Sequence, residues 1–140
     1  MKRILFLIVS LAISLTSCRN NTLSVNDAWI RAGIAGENSA AYMVINNATD
    51  QDEVLLNAAS DVAEAVELHM SKMDDQGVMM MQQQENIPIA KGTTVELKQG
   101  GLHIMLIGLK QDLVAGESIQ LTLTFQNTGD ITLELPVHAP

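Results

Sequence analysis

Cys18 is the only cysteine in this 140-residue chain. No disulfide can form within it, and a chain of this length can bury an adequate core without one. A metal site elsewhere in the chain must also do without thiolate. Basic side chains are scarce, eight Lys and Arg against sixteen Asp and Glu for a net charge of −8. Such a surface repels phosphate backbones, which argues against a nucleic-acid partner. Long apolar runs are nearly missing too. The one candidate, Ile4 to Leu15, is interrupted by Ser10 and Ser14 and falls short of the ~20 residues a membrane-spanning helix needs. There is no convincing 3.6-residue period, internal repeat, low-complexity tract or second domain. No Ser/His/Asp spacing, paired-carboxylate motif or zinc signature rises above chance, so the chain does not read as an enzyme, whether hydrolase or oxidase.

What is present begins at the N-terminus. Lys2 and Arg3 precede the apolar run, the order of charge and hydrophobicity found in secretory signals. The run closes on Leu15-Thr16-Ser17-Cys18, which resembles the bacterial lipoprotein box. That resemblance implies that residues 1–17 are removed and that Cys18 carries lipid, attaching the protein to a bacterial membrane on its extracytoplasmic side, in the periplasm or at the cell surface. Ordinary signal cleavage nearby, with Cys18 an incidental thiol, is the rival reading. Residues 18–22 read as a polar tether and residues 23–138 as one domain. Removing residues 1–17 takes away Lys2, Arg3 and no acid, so the mature chain is more acidic still.

From residue 23 onward the dominant period is two. Ile119, Leu121, Leu123 and Phe125 alternate with polar residues, as do Ile131, Leu133, Leu135 and Val137, the pattern of half-buried strands. Asn127-Thr128-Gly129-Asp130 between them is a turn cluster, so the pair reads as a hairpin. Pro136 has no N–H to donate and belongs at an edge or at a strand end. Further strands are expected at 25–31, 40–46, 53–59, 65–70, 77–81, 93–97 and 102–107, with a short helical turn conceivable at 61–66. Many short strands at close spacing predict an all-β sandwich or barrel.

Eight methionines is a high count, and five of them fall between residues 70 and 81. Met105 follows His103 by two, so on a strand both project from one face, about 7 Å apart. Met79 and Met81 likewise share a face, with Met80 on the other. Thioether sulfur is a soft, neutral ligand suited to Cu(I), and imidazole binds copper readily. Zinc does not ordinarily take methionine, and a blue-copper centre needs a cysteine thiolate. A His/Met set without thiolate fits reversible holding of Cu(I) in an oxidising compartment, where thiols are lost to disulfides. The competing reading is that the methionines only fill gaps in a core, which would leave a metal-free, lipid-anchored surface sandwich.

The spacing of these residues resembles that of the periplasmic copper chaperones called PCu(A)C. Their ligand pattern is a His, often followed by Met, then ten residues, Met, twenty-one residues and His-x-Met. Here ten residues separate Met70 from Met81, twenty-one separate Met81 from His103, and His103-Ile104-Met105 completes the motif. Eleven residues separate His69 from Met81, which leaves open whether His69 or Met70 is the first ligand and whether Met80 replaces Met81. The blocks Asp27-Ala28-Trp29-Ile30-Arg31, Ala40-Ala41-Tyr42-Met43, Glu67-Leu68-His69 and Gly100 to Leu109 also look like the family's. The resemblance implies a cupredoxin-like Greek-key β-sandwich, with one Cu(I) held by His69, Met81, His103 and Met105 and with Met70 in reserve. It further implies delivery toward the dinuclear copper centre of a cytochrome c oxidase, through the oxidase subunit itself or a Sco-type thiol protein. Copper storage or detoxification is the alternative within the same chemistry. Trp29 and Tyr42 are expected as core anchors, Gly100-Gly101 as a turn and His138 as a solvated tail residue.

Overall fold

The computed structural model describes residues 21–139; the expected signal segment and Cys18 lie outside the described residues. Ten strands and, among the described residues, no helix make up the chain: β1 (Leu23–Arg31), β2 (Ser39–Asn47), β3 (Glu53–Ala59), β4 (Ala63–Met73), β5 (Met79–Gln84), β6 (Ile87–Ile89), β7 (Thr94–Leu97), β8 (Leu102–Leu109), β9 (Ser118–Phe125) and β10 (Gly129–His138). They run side by side in the order β5-β4-β8-β2-β1-β10-β9-β3-β6. β8 pairs with the start of β2 and β7 continues along the same edge, from Met43 to Asn46. The two halves meet where β1 runs parallel to β10, Ile30 opposite Val137.

The alternating apolar residues explain why this path folds over on itself. Leu121, Leu123 and Phe125 of β9 share one buried cluster with Leu135 and Val137 of β10, Ile104 and Leu106 of β8, Leu68 of β4 and Ala41, Met43 and Ile45 of β2. Strands from both halves thus bury their apolar faces against each other, as in a sandwich, each large side chain contributing ~1.5–3 kcal/mol. The opposite face of β4, β8 and β2 is left for other uses.

All the expected strands are found, β5 lying somewhat later than 77–81, and two features differ. Residues 61–66 contain no helical turn: β4 starts at Ala63. β6, with Pro88 at its centre, is an additional strand at the end of the path, paired among the described residues only with β3, where a missing donor is tolerated. β10 is an interior strand, and Pro136 meets the strand-end expectation by occupying the last rung of its ladder with β9, opposite Ser118.

Glu53, 3% exposed, ties β3 to the β9–β10 turn. Its carboxylate accepts from the backbone N–H of Val54 (2.9 Å), Asn127 (2.9 Å) and Thr128 (2.8 Å), and from the Thr128 hydroxyl (2.8 Å). Burial pushes the carboxyl upward, but these donors outweigh it and hold the group below its ordinary range. A depressed carboxylate stabilises the fold above the unfolded value, ~4.3 for Glu, and that contribution is lost as pH falls through the folded value. Glu53→Gln should therefore cost about 1–3 kcal/mol near neutrality. In urea unfolding the gap from wild type should narrow on acidification below about pH 4; a gap that does not change with pH would contradict this role.

Candidate metal centre

The register of three adjacent ladders assembles the site. β4 and β8 pair antiparallel with His69 opposite His103 and Glu67 opposite Met105. β5 adds Met81 opposite Ser71 and Met79 opposite Met73. On the other side, β2 sets Ala40 opposite Met105. Directly opposed residues share a face, so Met79, Met81, His69, His103 and Met105 all lie on the face of the sheet turned away from the core. Arg31, Tyr42, Met79, Met81, His103 and Met105 are among the residues that line a cleft of about 340 Å3 there.

The methionines differ in exposure, with Met70 and Met105 half-buried. Met43 is 1% exposed and fills the core, the packing role this side chain commonly has. Met73, Met79, Met80 and Met81 are 54–68% exposed, and core packing does not account for them. Their thioethers are neutral, and among the described residues Arg31 is the only charged side chain lining the cleft.

Each imidazole has one nitrogen engaged. His103, 5% exposed, sits just after a turn in which Gly100 takes φ +76°, a conformation glycine adopts without strain. That turn brings the Gly101 carbonyl within 3.0 Å of His103 Nδ1; Nδ1–H donates, and Nε2 keeps its lone pair. His69 Nε2–H donates to Glu67 Oε2 at 2.8 Å. Its Nδ1 is buried without a hydrogen-bond partner, a condition that costs about 1–3 kcal/mol unless something binds there. The two rings stand 5.9 Å apart between centroids, tilted by 50°. Two oriented imidazoles and nearby thioethers are a donor set that fits Cu(I). Among the described residues no three His, Cys, Asp or Glu side chains converge, so the donors here are not those of a zinc site.

Of the expected residues, Met81, His103 and Met105 line the cleft together, and His69 lies on the same face beside His103. Met70 pairs with Leu102 and Gln82, one residue out of phase with His69, and so lies on the opposite face of β4. Met80, opposite Lys72, also points away from this face. Met79 joins the cleft although the ligand spacing omits it; its shared face with Met81 was the available signal. The participation of Arg31, and the hydrogen bond from His69 to Glu67, went unforeseen. Tyr42 is 6% exposed and packs on Trp29, with ring centroids 4.7 Å apart. His138 is exposed as expected, but it ends β10 and stacks on Trp29 at 5.2 Å.

Comparison with known proteins gives a consistent picture. Residues 23–137 match the model of a lipoprotein family described as LpqE-like. A protein of Leifsonia xyli subsp. xyli that carries a lipoprotein name, Lxx21020, is 31% identical over 115 residues, covering 82% of this chain and 69% of its own length. Among solved structures, the copper-bound PCuAC domain of PmoF2 superposes with a TM-score of 0.71 at 24% identity, covering 84% of this chain and 93% of that domain; at that identity the likeness bears on the fold. The Cu(I) form of DR1885 from Deinococcus radiodurans is 30% identical with a TM-score of 0.54, covering 82% of this chain and 77% of that one.

Proposed function

This chain belongs to the LpqE-like lipoprotein family, with the fold of PCuAC domains, and from that premise we propose that it is an extracytoplasmic copper chaperone, a carrier and not an enzyme. Its cargo is one Cu(I), bound by His69, Met81, His103 and Met105. Lipid on Cys18 holds the domain at a bacterial membrane, with residues 1–17 removed. The recipient is a copper-accepting protein, either the oxidase subunit that houses a dinuclear copper centre or a Sco-type thiol protein.

The observation that carries this reading is the convergence, on the outer face of β5-β4-β8-β2, of accessible thioethers with two imidazoles that each keep a nitrogen free. Met70, on the opposite face of β4, is the weaker candidate for first ligand. Neutral thioethers suit reduced copper and exchange readily. Met81, 62% exposed, leaves a side on which an incoming ligand can approach, and this favours delivery over storage. The Cu(I) form of DR1885, 30% identical to this chain, supports copper as the cargo.

Titration of the domain with Cu(I) against a competing chelator, under anaerobic conditions, should reach one equivalent per chain; no binding above that of a Met-free β-sandwich would refute the reading. In membrane fractions the full chain should sediment with lipid and Cys18→Ser should not. A bacterial lipoprotein carries several acyl chains on one cysteine, so a single site suffices for anchoring.

A further inference from the structure

We infer that Glu67 is a positioning residue: its carboxylate holds His69 in the tautomer that frees Nδ1, so the two histidines bind copper through different ring atoms, Nδ1 of His69 and Nε2 of His103. This rests on the carrier reading for its copper part and on geometry alone for its tautomer part.

Residues two apart on a strand share a face, which brings Glu67 and His69 together on β4. The 2.8 Å contact between Glu67 Oε2 and His69 Nε2 is in the range of a charge-assisted hydrogen bond. Among the described residues no lysine or arginine pairs with Glu67; the other ion pair there joins Lys98 to Glu96. Glu67 is 30% exposed and His69 12%, so the contact is partly shielded from water. A ring with hydrogen on Nδ1 would bury an N–H with no acceptor and set the Nε2 lone pair against the Glu67 carboxylate, whereas the Nε2–H tautomer makes the Glu67 bond and leaves only the Nδ1 lone pair unpartnered. Metal-binding histidines commonly donate their second nitrogen to a carboxylate, which orients the ring and raises the basicity of the ligating nitrogen. At His103 the opposite choice is imposed by the Gly101 carbonyl, 3.0 Å from Nδ1. The facing rings are thus locked in opposite tautomers by two different acceptors, one a side chain and one the backbone.

The test combines nitrogen-15 long-range NMR of the copper-free domain with Cu(I) competition on Glu67→Leu and Glu67→Gln. Wild-type His69 should carry its hydrogen on Nε2. Glu67→Leu should lose that preference and bind Cu(I) about 10–100-fold more weakly, the usual effect of removing an outer partner of a metal ligand. Glu67→Gln keeps a carbonyl acceptor and should retain the tautomer and most of the affinity. Hydrogen on Nδ1 in the wild type, or unchanged Cu(I) affinity in a folded Glu67→Leu, would overturn the inference. If the wild type binds no Cu(I), the carrier reading fails, and the NMR result still decides whether Glu67 sets the tautomer.

Discussion

His103→Ala should weaken Cu(I) binding by on the order of a hundredfold or more while leaving a folded β-sandwich. Outer partners of a metal ligand alone are worth 10–100-fold, and His103 is proposed as a direct ligand. His103 is 5% exposed and its ring is held by the Gly101 carbonyl, so the imidazole is fixed in place. The nearest candidate, His69 on the facing strand, is already engaged by the same site. Loss of the ring also removes one hydrogen bond, about 1 kcal/mol, a cost the apolar cluster on the other face of β8 can absorb. Two controls separate ligation from damage. His138→Ala removes an imidazole that stacks on Trp29 outside the cleft and should leave affinity unchanged. Met43→Leu removes a sulfur from the core at conserved volume, costing less than about 1.5 kcal/mol, and should also leave Cu(I) binding intact. Wild-type affinity in His103→Ala, by competition titration, would contradict the assignment.

The second large effect concerns the oxidation state. Replacing Met81 and Met105 together by histidine should turn a site that prefers Cu(I) into one that prefers Cu(II), shifting the ratio of the two affinities by at least about tenfold. Thioethers favour the reduced ion, whereas Cu(II) favours nitrogen and oxygen in a tetragonal array. Both positions line the cleft. Met81 is largely exposed, with solvent around it to take a larger ring, while Met105 is half-buried and stands opposite Ala40 and Glu67. Met105→Leu, which keeps the volume and removes the sulfur, should lower Cu(I) affinity without raising Cu(II) affinity. An unchanged preference in the double variant would mean that the sulfurs do not select the oxidation state.

Much of this architecture could be read from the residues because a period of two is a local property. Ile119 to Phe125 and Ile131 to Val137 show their buried faces in their own alternation, and the same rule places His103 with Met105 and Met79 with Met81. Register between strands is not local. Nothing in Glu67-Leu68-His69-Met70 says which residue will face His103, since shifting a strand by one residue exchanges its faces; only the β4–β8 ladder sets His69 opposite His103 and turns Met70 away. The short β6 was hidden because Ile87-Pro88-Ile89 carries too few residues to show a period and contains a residue that ordinarily argues against a strand. Glu67 was legible as a neighbour in sequence, but its hydrogen bond to His69 depends on how both side chains turn on the folded sheet. Arg31 reaches the cleft only because β1 lies beside β2, a pairing set by tertiary packing.

X-ray absorption at the copper edge of the one-equivalent Cu(I) complex tests the central claim most directly. A site made by His69, Met81, His103 and Met105 predicts sulfur and nitrogen scatterers together in the first shell, with the sulfur contribution diminished in Met105→Leu. A first shell of nitrogen and oxygen alone, or one that Met105→Leu leaves unchanged, would contradict a thioether-based carrier even if copper were bound.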